Sequence, residues 1–182
     1  MEHLAFLQNL IKTFNWHNPS WDLFILLFWV VASVLYAFAA GRGRILTVLV
    51  SIFMSQLLVI KATFLTELLA NKVHIGEPSL QQLAVFSAFF IVLFMLLSRY
   101  AFKSSVDGRH VSSLGFSLIF AILQIGLLIN ITLTYLPNYI QSNFSPLIQF
   151  LFLHPYAGFI WLALPVLFLI ILGKFVSERA EI

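Results

Sequence analysis

Long runs without a charged residue divide the chain into apolar segments. No Asp, Glu, Lys or Arg occurs in residues 23–40, 45–60, 78–98 or 111–173. Since about 20 apolar residues in a helix cross a hydrocarbon core of about 30 Å, these runs predict transmembrane helices. The runs are continuous and of helix length, whereas a membrane barrel alternates in segments of about 10 residues. The pattern therefore favours helices over strands.

A polar, turn-rich stretch divides the longest of these runs. Residues 137–146 contain two prolines, two asparagines, two serines and one glutamine. Proline and asparagine clusters end helices and form turns, so two helices are expected here. The predicted spans are residues 21–40, 45–60, 83–98, 114–136 and 157–175. The alternative is four spans with a re-entrant last segment.

Two further segments predict helices outside these spans. Within residues 1–18, apolar side chains recur every three or four positions, which indicates an amphipathic helix at the membrane interface. Ser145 and Pro146 form a favourable helix start, but the apolar run after them is too short to span. Residues 138–154 are expected to lie at the outer interface, to re-enter the membrane, or to meet a partner. The expected fold is an all-α, polytopic membrane helix bundle in one domain, residues 1–182.

Composition restricts the class of protein. Apolar residues make up 61% of the chain and charged residues 9%, against about 45–50% and about 25% in soluble domains. So few charges cannot cover a water-exposed surface, which disfavours a cytosolic enzyme and a nucleic-acid binder. Cysteine is absent, so the sequence offers no disulfide, thiolate nucleophile or Cys-ligated metal.

Positive charges predict the orientation, because cytoplasmic loops carry an excess of Lys and Arg. With five spans, and with Lys61 left out, one side of the membrane holds two basic residues and the other holds seven. The N-terminus is therefore expected outside and the C-terminus in the cytoplasm. Candidate sites for lipid headgroups or anions are Arg42, Arg44, Arg99 and Lys103. For the first two, the alternative is a tight hairpin whose arginines anchor the inner face.

Small residues recur at four-residue spacing on two of the spans. Such stripes let helices approach closely. They predict either a dimer interface or packing of the first span against the fourth within one chain. The residues are Ser33, Ala37 and Gly41 on the first span, and Ser113, Ser117 and Ala121 on the fourth.

Polar residues within or beside the spans predict either a polar path or hydrogen bonds between helices. These residues are Gln56, Lys61, Glu67, Gln124 and Asn130. Buried in the membrane, Lys61 would mark a pathway or a counter-ion. If the second span ends near Ile60, Lys61 lies at the outer interface.

Motifs for catalysis are missing. The five histidines are scattered, and neither His-Glu-x-x-His nor Gly-x-Ser-x-Gly occurs. The sequence therefore predicts no catalytic residues, no metal site and no cofactor, and an intramembrane enzyme is disfavoured.

One arrangement resembles a known family. The first span runs into Gly-Arg-Gly-Arg at residues 41–44, a basic stretch follows Arg99, and Arg109 precedes a span rich in small residues. Over residues 21–136 this resembles the colicin V production (CvpA-like) family of small bacterial inner-membrane proteins. The acidic residue that commonly follows the family's Arg-Gly pair is missing here. The resemblance implies bacterial origin and a role in envelope homeostasis or secretion.

Two functions are expected from these features. The first is a non-enzymatic membrane scaffold or assembly subunit of the cell envelope, working through contacts between helices and with partners. The alternative is a small transporter or channel subunit with a polar path formed by an oligomer. Expected partners are membrane lipids and either further copies of the chain or a larger membrane complex, without nucleic acid.

Overall fold

The computed structural model of the protein describes residues 21–39, 42–65, 67, 77–101 and 114–180. Helices make up most of this part of the chain, and no strand occurs in it. They are α1 (Trp21–Ala39), α2 (Arg42–Lys61), α3 (Pro78–Leu96), α4 (Leu114–Thr134), α5 (Asn138–Gln141), α6 (Pro146–Ile148) and α7 (Ala157–Ala180). π-Helical turns follow α3 at Leu97–Ala101 and α6 at Gln149–Leu153. The amphipathic helix expected at residues 1–18 lies outside the described residues.

Three helices are long and apolar enough to cross a membrane. They cover Asp22–Ala39, Pro78–Tyr100 and Gly115–Thr134, while the apolar part of α2 is shorter. A fourth crossing arises if Pro146–Leu153 and Ala157–Ile171 count as one span, which is bent by 57°. The chain is thus a multi-pass, all-α membrane protein.

Local chemistry sets where the helices begin. Pro78 opens α3, since a proline in the first turn gives up only an N–H that would have no partner there. Ser145 precedes α6, and its hydroxyl accepts the N–H of Ile148 at 3.5 Å, with Pro146 in the first turn. The helix start predicted at Ser145 and Pro146 is therefore confirmed.

Helix α4 is the centre of the bundle. Half of its spanning window is buried within the protein, against 17% for α1 and for α3. Helix α1 packs along α4, α7 packs against α4, and α3 packs along α2. The indole of Trp29 on α1 donates to the carbonyl of Ile122 on α4 at 3.0 Å. The outward face of α1 carries large exposed apolar side chains, which suit contact with lipid.

Small residues are buried where α1 meets α4. Ser33, Ala37 and Ala121 are all buried, and Ser117 is half-buried. Because α4 is the main neighbour of α1, packing within one chain accounts for their burial. The remaining members of the two predicted stripes, Gly41 and Ser113, lie outside the described residues. A dimer interface at these stripes stays a prediction.

Candidate functional site in the linking segment

Two buried amide side chains of α4 brace the bundle. The Gln124 side chain is fully buried, and its Nε2 donates to the carbonyl of Ile45 at 3.0 Å. Asn130 is also buried, and its Nδ2 donates to the carbonyl of Phe152 at 2.5 Å. Each amide thus joins α4 to the backbone of a different element, α2 in one case and the π-helical turn after α6 in the other.

The remaining residues of the predicted polar path lie apart from these two. Gln56 accepts a hydrogen bond from the hydroxyl of Tyr135 at 3.2 Å. Helix α2 ends at Lys61, whose side chain is exposed, and Glu67 is exposed as well. None of the five residues lines either of the two cavities described below. A continuous polar path through them stays a prediction.

The basic residues predicted to meet anions are only partly described. Arg42 and Arg44 lie in the first turn of α2. Arg99 is exposed in the π-helical turn after α3, with its guanidinium carbon 5.9 Å from the ring centroid of Tyr100. Lys103 lies outside the described residues.

Residues 138–154, hereafter the linking segment, connect the ends of α4 and α7. A helix end leaves its last carbonyls without partners, and two glutamines supply donors here. The amide Nε2 of Gln141 donates to the carbonyls of Leu136 at 2.7 Å and Thr134 at 3.2 Å. The Nε2 of Gln149 donates to the carbonyls of Phe144 at 2.9 Å and Gln141 at 3.4 Å. Side-chain donors therefore help to fix the turns on both sides of α5.

A carboxylate from α1 holds the start of α6. Both oxygens of Asp22 lie 3.1 Å from the backbone nitrogen of Ser145, and Asp22 is only 5% exposed. A negative charge is favourable beside the N-terminus of a helix, where N–H groups point outward. In the sequence, Asp22 is distinguished only as the charged residue before the uncharged run 23–40. No local signal could link it to Ser145, because 123 positions separate the two residues.

The end of the linking segment enters the core of the bundle. Phe152 is fully buried and stacks on Trp161 of α7 at 5.4 Å, while Trp29 of α1 meets both rings edge-on at 5.6 Å. Trp161 lies against Gly126 of α4, where an added Cβ would come within 2.2 Å of the indole. This aromatic cluster (Trp29, Phe152 and Trp161) joins α1, α7 and the linking segment, and Gly126 lets it press on α4.

Side chains also satisfy the carbonyls where the π-helical turn ends. The indole Nε1 of Trp161 donates to the carbonyl of Leu151 at 2.9 Å, and Asn130 donates to that of Phe152. Inside a membrane, non-helical backbone is tolerated only where the protein itself supplies partners for its polar groups. These two hydrogen bonds let the chain change direction between α6 and α7.

An open polar cleft of about 540 Å³ lies on the linking segment. Its wall combines amides, a hydroxyl and an imidazole with apolar side chains, and its described lining contains no carboxylate, lysine or arginine. The lining residues are Asn138, Gln141, Ser142, Pro146, Gln149, Phe150, Leu153 and His154. Sequence analysis placed a helix start here but named none of these residues as a site. The amide side chains clustered beside a predicted turn are the feature of the sequence that could have identified this cleft.

A second cavity is an apolar groove of about 490 Å³ between α1, α3 and α4. Two hydroxyls line it, and both are already used within their own helices. Ser87 donates to the carbonyl of Leu83 at 2.8 Å, and Thr132 donates to that of Leu128 at 2.8 Å. The groove therefore has no free hydroxyl donor among these two residues for a polar ligand, and its apolar surface suits lipid chains.

Within the described residues, no group of three or more histidine and carboxylate side chains is placed to hold a metal ion. The chain matches no protein-family model, no curated protein and no solved structure. The resemblance to the CvpA-like family therefore stays a prediction.

Proposed function

We propose that the protein is a non-enzymatic scaffold or assembly subunit of a membrane complex. The observation that carries this proposal is the use of Gln124 and Asn130. Both are buried amides of the central helix, and each bonds to a backbone carbonyl of another element. Polar side chains used in this way make a bundle rigid, which suits a protein that positions partners.

The exposed surface supports the same proposal. Helix α1, and α7 as far as residue 171, present large apolar side chains outward, among them Phe28 and Phe38 on α1 and Phe159 and Ile170 on α7. In a membrane these faces meet lipid or the helices of another subunit. Since α1, α4 and α7 are already packed together, a partner helix could lie against them without rearranging the bundle.

Five crossings are part of the proposal. Ile45–Lys61 contains 17 residues, which at 1.5 Å each gives about 25 Å and crosses a locally thinned bilayer. With α7 as the fifth crossing, the termini lie on opposite sides. The excess of basic residues then places the C-terminus in the cytoplasm and the linking segment outside. The resemblance noted from sequence favours a bacterial inner membrane.

Native mass spectrometry of the protein, extracted gently from its own membrane, tests the proposal. A defined complex with another membrane protein is the expected result. Recovery of a lone monomer under conditions that preserve known complexes of the same membrane would contradict it.

Transport is the second candidate, and Lys61 is the observation that favours it. This cation is exposed at the end of a membrane helix, where it could sit at the mouth of a pore formed by several copies. The test is flux through proteoliposomes that carry the wild type or Lys61→Ala. A flux that the substitution changes, with equal insertion of both proteins, would favour transport over the scaffold.

A further inference from the structure

We propose that the cleft on the linking segment binds a primary ammonium group, supplied by the ethanolamine headgroup of a membrane lipid. The inference starts from the polar atoms that remain available in the cleft after the protein's own hydrogen bonds are made. It goes beyond the scaffold proposal and does not depend on it.

The orientation of two amides in the cleft is fixed by their partners. Gln141 and Gln149 each direct Nε2 at two backbone carbonyl oxygens. An amide oxygen cannot bond to a carbonyl, so a flipped assignment of either side chain is excluded. Both N–H donors of each amide are thus in use, and within the described residues each Oε1 is left without a hydrogen bond. The cleft receives acceptors from these two residues.

The hydroxyl of Ser142, which also lines the cleft, likewise uses its donor on a backbone carbonyl. Ser142 donates its proton to the carbonyl of Tyr139 at 3.1 Å, so its oxygen keeps only accepting capacity toward a ligand. The helix ends cause this, because their unpaired carbonyls take up the donors of Gln141, Ser142 and Gln149. The atoms that these three residues leave over are oxygens, so each of them adds acceptors to the cleft.

The local field favours a cation. The carbonyls of Thr134 and Leu136 belong to the last turn of α4 and the residues just after it, where the helix dipole is negative, and Gln141 bonds to both of them. The carboxylate of Asp22 lies on Ser145, next to the lining residue Pro146. No lysine or arginine occurs anywhere in residues 111–173, so no cation of this stretch competes for the acceptors.

Two rings, those of Phe150 and His154, also line the cleft. Phe150 is 54% exposed, and its ring centroid lies 5.8 Å from that of His154, which is 5.4 Å from the ring of Tyr156. Ring faces attract ammonium groups. His154 Nδ1 accepts the N–H of Tyr156 at 3.4 Å, so the neutral ring has its Nε2–H left as a donor for a phosphodiester.

The acceptors distinguish between lipid headgroups. A primary ammonium has N–H donors for acceptors such as the oxygens of Gln141, Ser142 and Gln149, which line the cleft. The quaternary ammonium of choline has none and could use the ring faces alone. The cleft lies at the ends of membrane helices, where lipid headgroups are the most concentrated source of such a group. These facts together select the ethanolamine lipid.

The test measures lipid selectivity in nanodiscs. The protein is placed in bilayers of phosphatidylcholine with an equal share of phosphatidylethanolamine, and the lipids that stay bound after ejection are counted by native mass spectrometry. We expect retained ethanolamine lipid to exceed choline lipid by about tenfold, the ratio that a difference of about 1.4 kcal/mol in binding gives.

Asn138 provides the variants, because its side chain is exposed and makes no hydrogen bond within the described residues. Asn138→Lys places a competing cation in the cleft and should abolish the enrichment, while Asn138→Asp should increase it. The matched control is Gln82→Lys, which adds the same charge to an exposed position of α3 outside the cleft and should change nothing.

Three results would overturn the proposal. Equal retention of the two lipids by the wild type is the first, and enrichment that survives Asn138→Lys is the second. The third concerns the source of the ammonium group. If free ethanolamine stabilises the protein in phosphatidylcholine nanodiscs while the lipid shows no enrichment, the ligand is a soluble amine.

Discussion

Two parts of the bundle are held together in different ways. Helices α1, α4 and α7 meet through the aromatic cluster, and the linking segment is tied to them by Asn130, Asp22 and Trp161. Two side-chain hydrogen bonds join the α2–α3 hairpin to this part of the bundle, one from Gln124 to Ile45 and one from Tyr135 to Gln56.

The hairpin instead satisfies its own polar groups. The hydroxyls of Ser51 and Ser55 are fully buried, yet each donates to a carbonyl four residues earlier in α2, at 2.7 and 2.6 Å. Such bonds hide a polar group without fixing a neighbouring helix. The tie from α2 to α4 comes instead from Gln124, which donates to the carbonyl of Ile45.

This contrast shows what specifies a contact inside a membrane. Lipid is as apolar as a leucine side chain, so burial of apolar surface alone does not select one neighbour over another. The irregular backbone around residues 149–156 does select its neighbours, because its carbonyls need donors at particular positions. The aromatic cluster and the hydrogen bonds of Asn130, Asp22 and Trp161 thus lie where the chain leaves regular helix.

The largest effect is expected from Gly126→Ala. The new methyl group would overlap the indole of Trp161, so the aromatic cluster must move. Overpacking a tight core costs about 1–3 kcal/mol, and we expect a loss near the upper end in the free energy of unfolding in mixed micelles. Gly115→Ala is the control, since an added Cβ meets no atom within 4 Å there. Equal stability of the two variants would show that the cluster does not determine the fold.

A smaller loss is expected from Asn130→Leu. The substitution leaves the carbonyl of Phe152 without its donor inside the bundle, which costs about 1–3 kcal/mol. Thr132→Val is the control, because that exposed hydroxyl bonds only within its own helix. Amide hydrogen exchange should rise in the linking segment of the Asn130 variant. Unchanged exchange there would contradict the bracing role.

The smallest effect is expected from Gln124→Leu, which tests the weaker side of the comparison. The variant loses the hydrogen bond to Ile45, but it also removes Oε1, a buried oxygen without a partner. The lost hydrogen bond destabilises the protein and the removal of the unpaired oxygen stabilises it. We therefore expect a change below about 1 kcal/mol in the free energy of unfolding. A loss as large as that of Asn130→Leu would mean that the two parts of the bundle are equally dependent on their polar contacts.

The helices of the fold follow from the sequence, while the site does not. Runs without charge mark the helices because burial in lipid excludes ionised groups, and Ser145 with Pro146 marks a start because capping is local. The role of Asp22 depends on a contact across 123 positions. Trp29 and Trp161 carried no signal that set them apart from the other apolar residues, because their packing against Gly126 and Phe152 depends on how distant helices meet.

The indole of Trp161 also affects how the chain is made. Leu151 leaves the ribosome ten residues before Trp161, so for that interval its carbonyl lacks the donor that it has in the finished protein. An unpaired carbonyl in hydrocarbon costs several kcal/mol. We therefore expect the linking segment to stay hydrated at the membrane interface and to fold only together with α7. Folding of the linking segment would thus depend on the helix that follows it in the chain.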